Sequence, residues 1–218
     1  DAADAVLVNS RSLELSQRLK EPEMIERAES QDLGLRVLIG KSQAIVSSND
    51  WTESSLDDLV DRAISMAHAV PENPYCGLAE ASELSDVTTI DLELCDDGEP
   101  TSDQLVKLAK TCEEAALNVD GVTNSEGAEA NWSRSEIVLV ASNGFSGSYA
   151  VSRNGISVAV LAGEGTAMER DYEFSSAIFA ADLEDAADTG RKAGERTVSR
   201  LNPRKAPTAN VPVVYDPR

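Results

Sequence analysis

Residues 121–177, GVTNSEGAEANWSRSEIVLVASNGFSGSYAVSRNGISVAVLAGEGTAMERDYEFSSA, constrain the fold more than any other stretch, because short β-rich runs follow one another with only Gly, Asn and Ser between them. Positions 137–141 and 156–161 are rich in β-branched and aliphatic residues, and 146–152 alternates small polar positions with Tyr149 and Val151. Asn143-Gly144 and Asn154-Gly155 stand between these runs, where residues tolerant of positive φ let a chain reverse tightly. The pattern predicts an antiparallel meander. A fourth, more charged run at 168–174 is either an edge strand or a loop carrying Glu169, Arg170 and Asp171.

The N-terminal part reads the same way. Runs at 5–9 and 13–18 predict short strands, Lys20-Glu21-Pro22 punctuates them, and 33–39 and 43–48 flank Gly40-Lys41 as a hairpin. Residues 24–30 contain good helix formers, yet they lie between a turn and a convincing strand and are read as strand. Three helices follow from apolar spacing of three and four. The first starts after Asp50 with Thr52 or Ser54 as its cap, and places Leu56, Leu59, Val60, Ala63, Ile64 and Ala67 on one side before Pro71 and Pro74. The second opens with Thr101 and Gln104 in capping-box spacing. The third starts near Asp182, and its small inner residues, among them Gly190, Ala193 and Gly194, suit close packing against a sheet. Residues 88–94 alternate as a strand. VPVVYDPR opens another, as in a chain that continues into a further domain.

Strands, helix, strand, helix, strands, helix is the order of an α+β fold: antiparallel β-meander sheet(s) with about three helices packed on one face. The expected unit is one N-terminal α+β domain over 1–218, open to subdivision at 1–98 and 99–206, with 207–218 starting the next domain.

Charge narrows the partners. With 39 acidic and 19 basic residues the formal charge is −20, which disfavours direct nucleic-acid binding because that rests on Lys and Arg displacing counterions from phosphates. The late basic residues, such as Arg191, Arg196 and Arg200, are interleaved with Glu184, Asp188 and Glu195 and read as a mixed helix face. No apolar run approaches the roughly 20 residues needed to span a bilayer. Three cysteines without CxxC spacing fit a reducing compartment, so a cytoplasmic setting is expected.

Chemistry is sparse. His68 is the sole histidine, so there is no HExxH pair, and any Ser or Cys nucleophile with a His base would have to use it. Cys76, Cys95, Cys112 and His68 count to four zinc ligands, but their spacing matches no zinc module. Gly163-Glu164-Gly165 reads as a turn, Glu164, Glu169 and Asp171 as a solvated cluster, and Trp51 and Trp132 as partly buried aromatics. No catalytic and no metal-binding residue is assigned.

Several long phrases nevertheless resemble one family. LGLRVLIGKSQAIVSSND, PYCGLAE, GVTNSEGAEANWS, ASNGFSGSY, LAGEGTAMERDYEFSSA and GRKAGERTVSRLNPRK together are similar to the N-terminal half of the TldD/PmbA family, on its PmbA (TldE) side. The resemblance implies a cytoplasmic hetero-oligomer of peptidase or DNA-gyrase-modulator character. In it a TldD-like subunit carries zinc through an HExxxH motif, while the PmbA-like subunit lacks that motif and binds no cofactor of its own. Unfolded peptides, including peptide-antibiotic precursors and antitoxins, are the implied substrates. No position here matches the zinc motif. The expected contribution of this chain is a sheet surface and strand edge that shape a peptide path, with Arg170 and Tyr172 of MERDY lining it.

Overall fold

The computed structural model describes residues 1–85 and 91–215. The elements in chain order are β1 (Ala2–Arg18), β2 (Glu21–Ile39), β3 (Ser42–Ser48), α1 (Glu53–Ala69), α2 (Ser102–Leu117), β4 (Val122–Ala141), β5 (Ser146–Ala162), β6 (Glu169–Ala177) and α3 (Ala186–Ser199). All strands join one antiparallel six-stranded sheet in the order β3-β2-β1-β4-β5-β6. The fold is therefore α+β, with the meander over 121–177 as its second half.

The strands are longer than the sequence pattern suggests. The runs at 5–9 and 13–18 form one strand, and those at 24–30 and 33–39 form another. Polar residues between the runs stay in the ladder: Ser10 pairs with Ser30 on one side and with Ser135 on the other, where the two hydroxyls lie 2.8 Å apart. Polarity there marks a solvent-facing side, not a turn. Asn154-Gly155 is likewise no reversal. It sits inside β5, buried, and a Cβ on Gly155 would come within 2.7 Å of Asn131 Oδ1, so the glycine serves close approach. Asn143-Gly144 does turn the chain, with Gly144 at φ 95°. The strand expected over 88–94 falls partly outside the described residues, and 91–94 is not strand; nor is 211–215.

Thr101 caps α2 as its spacing predicts: its Oγ1 accepts from Gln104 N–H, and the Gln104 side chain accepts from Thr101 N–H at 2.7 Å. α3 begins at Ala186, after a single 3₁₀ turn at Ala180–Asp182, because Asp185 Oδ1 accepts from the amides of Ala187 and Asp188. Of its small residues, Ala193 packs into the core against the sheet as expected, while the glycines serve another neighbour. A Cβ on Gly190 would lie 2.0 Å from the carbonyl oxygen of Cys112, so the close contact is with α2.

Leu13 and Leu15 of β1, Ala128 and Ala130 of β4 and Ile156, Val158 and Val160 of β5 form the main core with Leu105, Ala109, Cys112 and Ala116 of α2 and Ala193 of α3. A smaller cluster joins Leu59 and Ala63 of α1 to Val46, Leu33, Leu35 and Val37. Leu35 pairs with Ala5, two-residue steps along β1 from Leu13, so both clusters lie on one side of the pleat. The helices cover that face. Leu15 and Leu59 are 1% and 2% exposed, and each contributes about 1.5–3 kcal/mol through burial.

Candidate functional site

The uncovered face carries Arg170 and Tyr172, and a groove forms beside them. Register brings the parts together: Tyr172 of β6 pairs with Ala159 of β5, while Ser157 of β5 pairs with Glu129 of β4. Strand alternation then leaves Tyr172, Ala159, Ser157 and Glu129 on the side away from the helices. The groove holds about 320 Å³, and Glu23, Glu126, Glu129, Ser157, Arg170 and Tyr172 supply most of its polar and aromatic wall.

Its shape depends on a bulge. The β4–β5 register shifts between Ser125 and Gly127, and Gly127 has φ 123°. A Cβ there would meet the Gln17 carbonyl oxygen at 2.9 Å, so only glycine lets β4 lie this close to β1. The bulge leaves Glu126 where Arg170 ion-pairs with it. Glu23, Glu126 and Glu129 were not singled out in the sequence, and the signal available for them was Gly127 inside an otherwise strand-compatible run.

The charged run expected over 168–174 forms an edge strand from Glu169 onward, and its two faces do different work. Tyr172 and Phe174 stack outward with ring centroids 6.4 Å apart, each nearly half exposed. Asp171 and Glu173 turn under α3 and are buried. Arg200 Nε donates to Asp171 Oδ2 at 2.6 Å, and Arg196 Nη1 donates to Glu173 Oε2 at 2.7 Å. Burial pushes the Asp171 carboxyl up, but the Arg200 hydrogen bond, the Tyr172 amide and the charges of Arg200 and Arg196 outweigh it and hold the group below its ordinary value. The same two acids also reach the strand edge. Tyr172 N–H donates to Asp171 Oδ1 at 2.8 Å and Phe174 N–H to Glu173 Oε1 at 3.1 Å. Those two amides of β6 are engaged by the chain's own carboxylates.

The remaining candidates do not assemble. His68 is exposed in the last turn of α1, Cys76 is buried with its thiol donating to Gln43 Oε1, and Cys95 is half-buried near Asp96. Burial, then Glu113 and Asp185, push the Cys112 thiol up to about 12, so it stays protonated in the core. Among the described residues, no group of three or more His, Cys, Asp or Glu side chains is placed to hold a metal ion. The side chains described here therefore do not fit a zinc centre. Among the described residues no helix is long and apolar enough to cross a membrane.

The family models agree with this architecture. Residues 3–67 match the PmbA/TldA metallopeptidase domain 1 and residues 95–201 match the PmbA/TldA metallopeptidase central domain. The first match spans β1 to most of α1, the second runs from before α2 through α3, and the β1–β4 ladder joins them in one sheet. The chain belongs to the PmbA/TldD family. It is 32% identical over 215 residues to the metalloprotease PmbA homolog of Haemophilus influenzae, covering 98% of this chain and 48% of that protein. It is 31% identical over 216 residues to metalloprotease PmbA of Escherichia coli O157:H7, with 99% and 48% covered. Among solved structures, a Bacteroides thetaiotaomicron protein named for modulation of DNA gyrase superposes with TM-score 0.86 at 22% identity, covering 94% of this chain and 47% of that one. TldE from Thermococcus kodakarensis superposes with TM-score 0.75 at 17% identity, with 91% and 44% covered. The chain spans about half the length of the curated relatives it matches.

Proposed function

We propose that this chain is the N-terminal scaffold and peptide-path domain of a PmbA/TldE-like, non-zinc subunit. It works in a cytoplasmic TldD/TldE-type metallopeptidase complex that cleaves unfolded peptides, peptide-antibiotic precursors and antitoxins among them. The observation that carries this reading is the pair of family matches at 3–67 and 95–201, in chain order. Zinc, in this reading, belongs to a TldD-like partner. The likeness to TldE supports the placement on the PmbA side.

The groove supplies what a sequence-tolerant path needs. Tyr172, stacked on Phe174 just outside the groove, presents an aromatic wall, and Arg170, exposed and paired to Glu126, can exchange that partner for a peptide carboxylate. Glu23 and Glu129 do the same for basic side chains. The test is turnover of an unfolded peptide by the chain reconstituted with a TldD-like subunit, compared with an Arg170→Ala, Tyr172→Ala assembly. A fall in kcat/KM of about tenfold is expected. Unchanged turnover removes these residues from the path.

The charge of −20 supports a second reading, an acidic module that modulates DNA gyrase by protein contact without peptidase activity. Salt-sensitive association with purified gyrase in the absence of any TldD-like protein is its test. Absence of such association rules it out.

A further inference from the structure

β2 has a neighbour on its second side for only part of its length. β3 pairs with it from Leu33 to Ile39, whereas β1 runs along its other side from Glu21 to Leu38. Among the described residues no other strand or loop backbone bonds to 21–32, and every residue in that stretch is exposed. An unpaired strand presents both its N–H and its C=O outward at alternate residues, which is a template for an added strand.

The side chains say what kind of strand it suits. Met24 and Ile25, on opposite faces, are 37% and 54% exposed, so apolar contacts are available above and below the backbone. Glu21, Glu23, Glu26, Glu29 and Asp32 face a single basic residue, Arg27, whose guanidinium is already bonded to Glu29 and Glu99 at 3.2 and 2.7 Å. A chain of charge −20 repels its own copy at this edge and attracts a cationic one. The opposite edge of the sheet differs, since Asp171 and Glu173 occupy the amides of Tyr172 and Phe174 there.

We propose that the 21–32 edge of β2 takes an extended, lysine- or arginine-rich peptide segment as an added strand. This deepens the peptide-path reading and rests on it for the choice of a peptide as occupant, but it places the backbone grip on the free edge of β2, which meets the groove of Arg170 and Tyr172 only at Glu23. Main-chain hydrogen bonds hold the segment whatever its sequence, and the glutamates select its charge.

The experiment is amide hydrogen exchange on the 218-residue chain with a capped peptide of about eight residues alternating Lys and Val. Controls are a Glu–Val counterpart and a Lys–Val peptide N-methylated at alternate amides. The Lys–Val peptide is expected to slow exchange at alternate amides within 21–32 by about tenfold, and both controls are expected to do nothing. In Glu26→Lys, Glu29→Lys, which leaves the groove residue Glu23 in place, the preference should pass to the Glu–Val peptide. Protection confined to 169–177, no protection, or equal protection by both charge types overturns the proposal. So does protection without peptide that grows with chain concentration, because the occupant is then a second copy. The reading based on Arg170 and Tyr172 fails separately, through unchanged turnover in the reconstituted assembly.

Discussion

The carboxylate of Glu113, on α2, accepts hydrogen bonds from the backbone amides of Leu19 and Lys20 at 2.7 and 2.9 Å. Those residues turn β1 into β2, both with positive φ (49° and 72°), and Gln17 Nε2 adds a third donor at 3.0 Å. Glu113 is completely buried. A buried carboxylate is tolerated only when donors replace its water, and here the turn itself supplies them. One helix side chain thus fixes where the β1–β2 hairpin reverses. Glu113→Gln keeps the shape but puts an NH₂ against one of these donors, and a loss of about 3 kcal/mol is expected in denaturant unfolding. Unchanged stability would mean that the turn holds itself.

The turn residues are poorly suited to their own conformation. Left-handed backbone costs an L-residue about 1–2 kcal/mol, and Asn-Gly is the preferred pair for a two-residue turn with φ positive at both positions. Replacing Leu19 by Asn and Lys20 by Gly is expected to stabilise the chain by about 1–2 kcal/mol and to make Glu113→Gln less costly. A double-mutant cycle on unfolding free energy measures that coupling. Strict additivity would separate the two effects.

These residues also show what could and could not be read from the sequence. Local chemistry was legible where it acted alone: Thr101 and Gln104 cap α2, and Asn143-Gly144 reverses the chain as their types predict. Asn154-Gly155 has the same dipeptide and does the opposite, because the glycine is needed for Asn131 across the ladder, a partner that no local pattern reveals. The reversal between β1 and β2 was legible at Lys20-Glu21-Pro22 to within a residue, but not its hold on Leu19 and Lys20, since the carboxylate that fixes them lies 94 residues away on α2. At the groove, Arg170 and Tyr172 were named for the charged, turn-rich run MERDY within the family resemblance, while Glu23, Glu126 and Glu129 reach it through register and a bulge.

The α2–α3 contact is made by backbone, and that makes it intolerant. A Cβ at Gly194 would lie 2.6 Å from Val119 Cγ2 and 2.9 Å from the Ala116 carbonyl oxygen, and at Gly190 the obstacle is the Cys112 carbonyl itself. A flexible side chain can yield, but a helix carbonyl cannot without moving the helix. Gly190→Ala is expected to cost about 3 kcal/mol, more than Gly194→Ala. Thermal unfolding of the two variants decides the order, and equal midpoints would show that α3 shifts as a unit.

Acid should weaken the contact where α3 meets β6. The folded protein holds the Asp171 carboxyl below its ordinary value, so its ion pair with Arg200 contributes stability above the unfolded pKa of about 3.9, and that contribution is lost as pH falls through the lower folded value. Arg200→Ala removes a main cause of the depression. The variant should be less stable than the parent at neutral pH, with the gap closing below about pH 4. A gap that persists at low pH would assign Arg200 a packing role instead of an ionic one.

Trp132 contributes a core ring, 2% exposed, whose Nε1 has no hydrogen-bond partner. It is the one buried side-chain polar atom without a partner among the described residues. An unpaired buried donor costs about 1–3 kcal/mol. Trp132→Phe removes that penalty but leaves a small void, two terms of similar size and opposite sign. The net change should be within about 1.5 kcal/mol, whereas Trp132→Ala, which loses the ring entirely, should cost about 3–5 kcal/mol. Both numbers come from one urea titration series. A loss for Trp132→Phe as large as that for Trp132→Ala would mean that the indole N–H is bonded in solution and that its hydrogen bond, more than the ring, holds this part of the core.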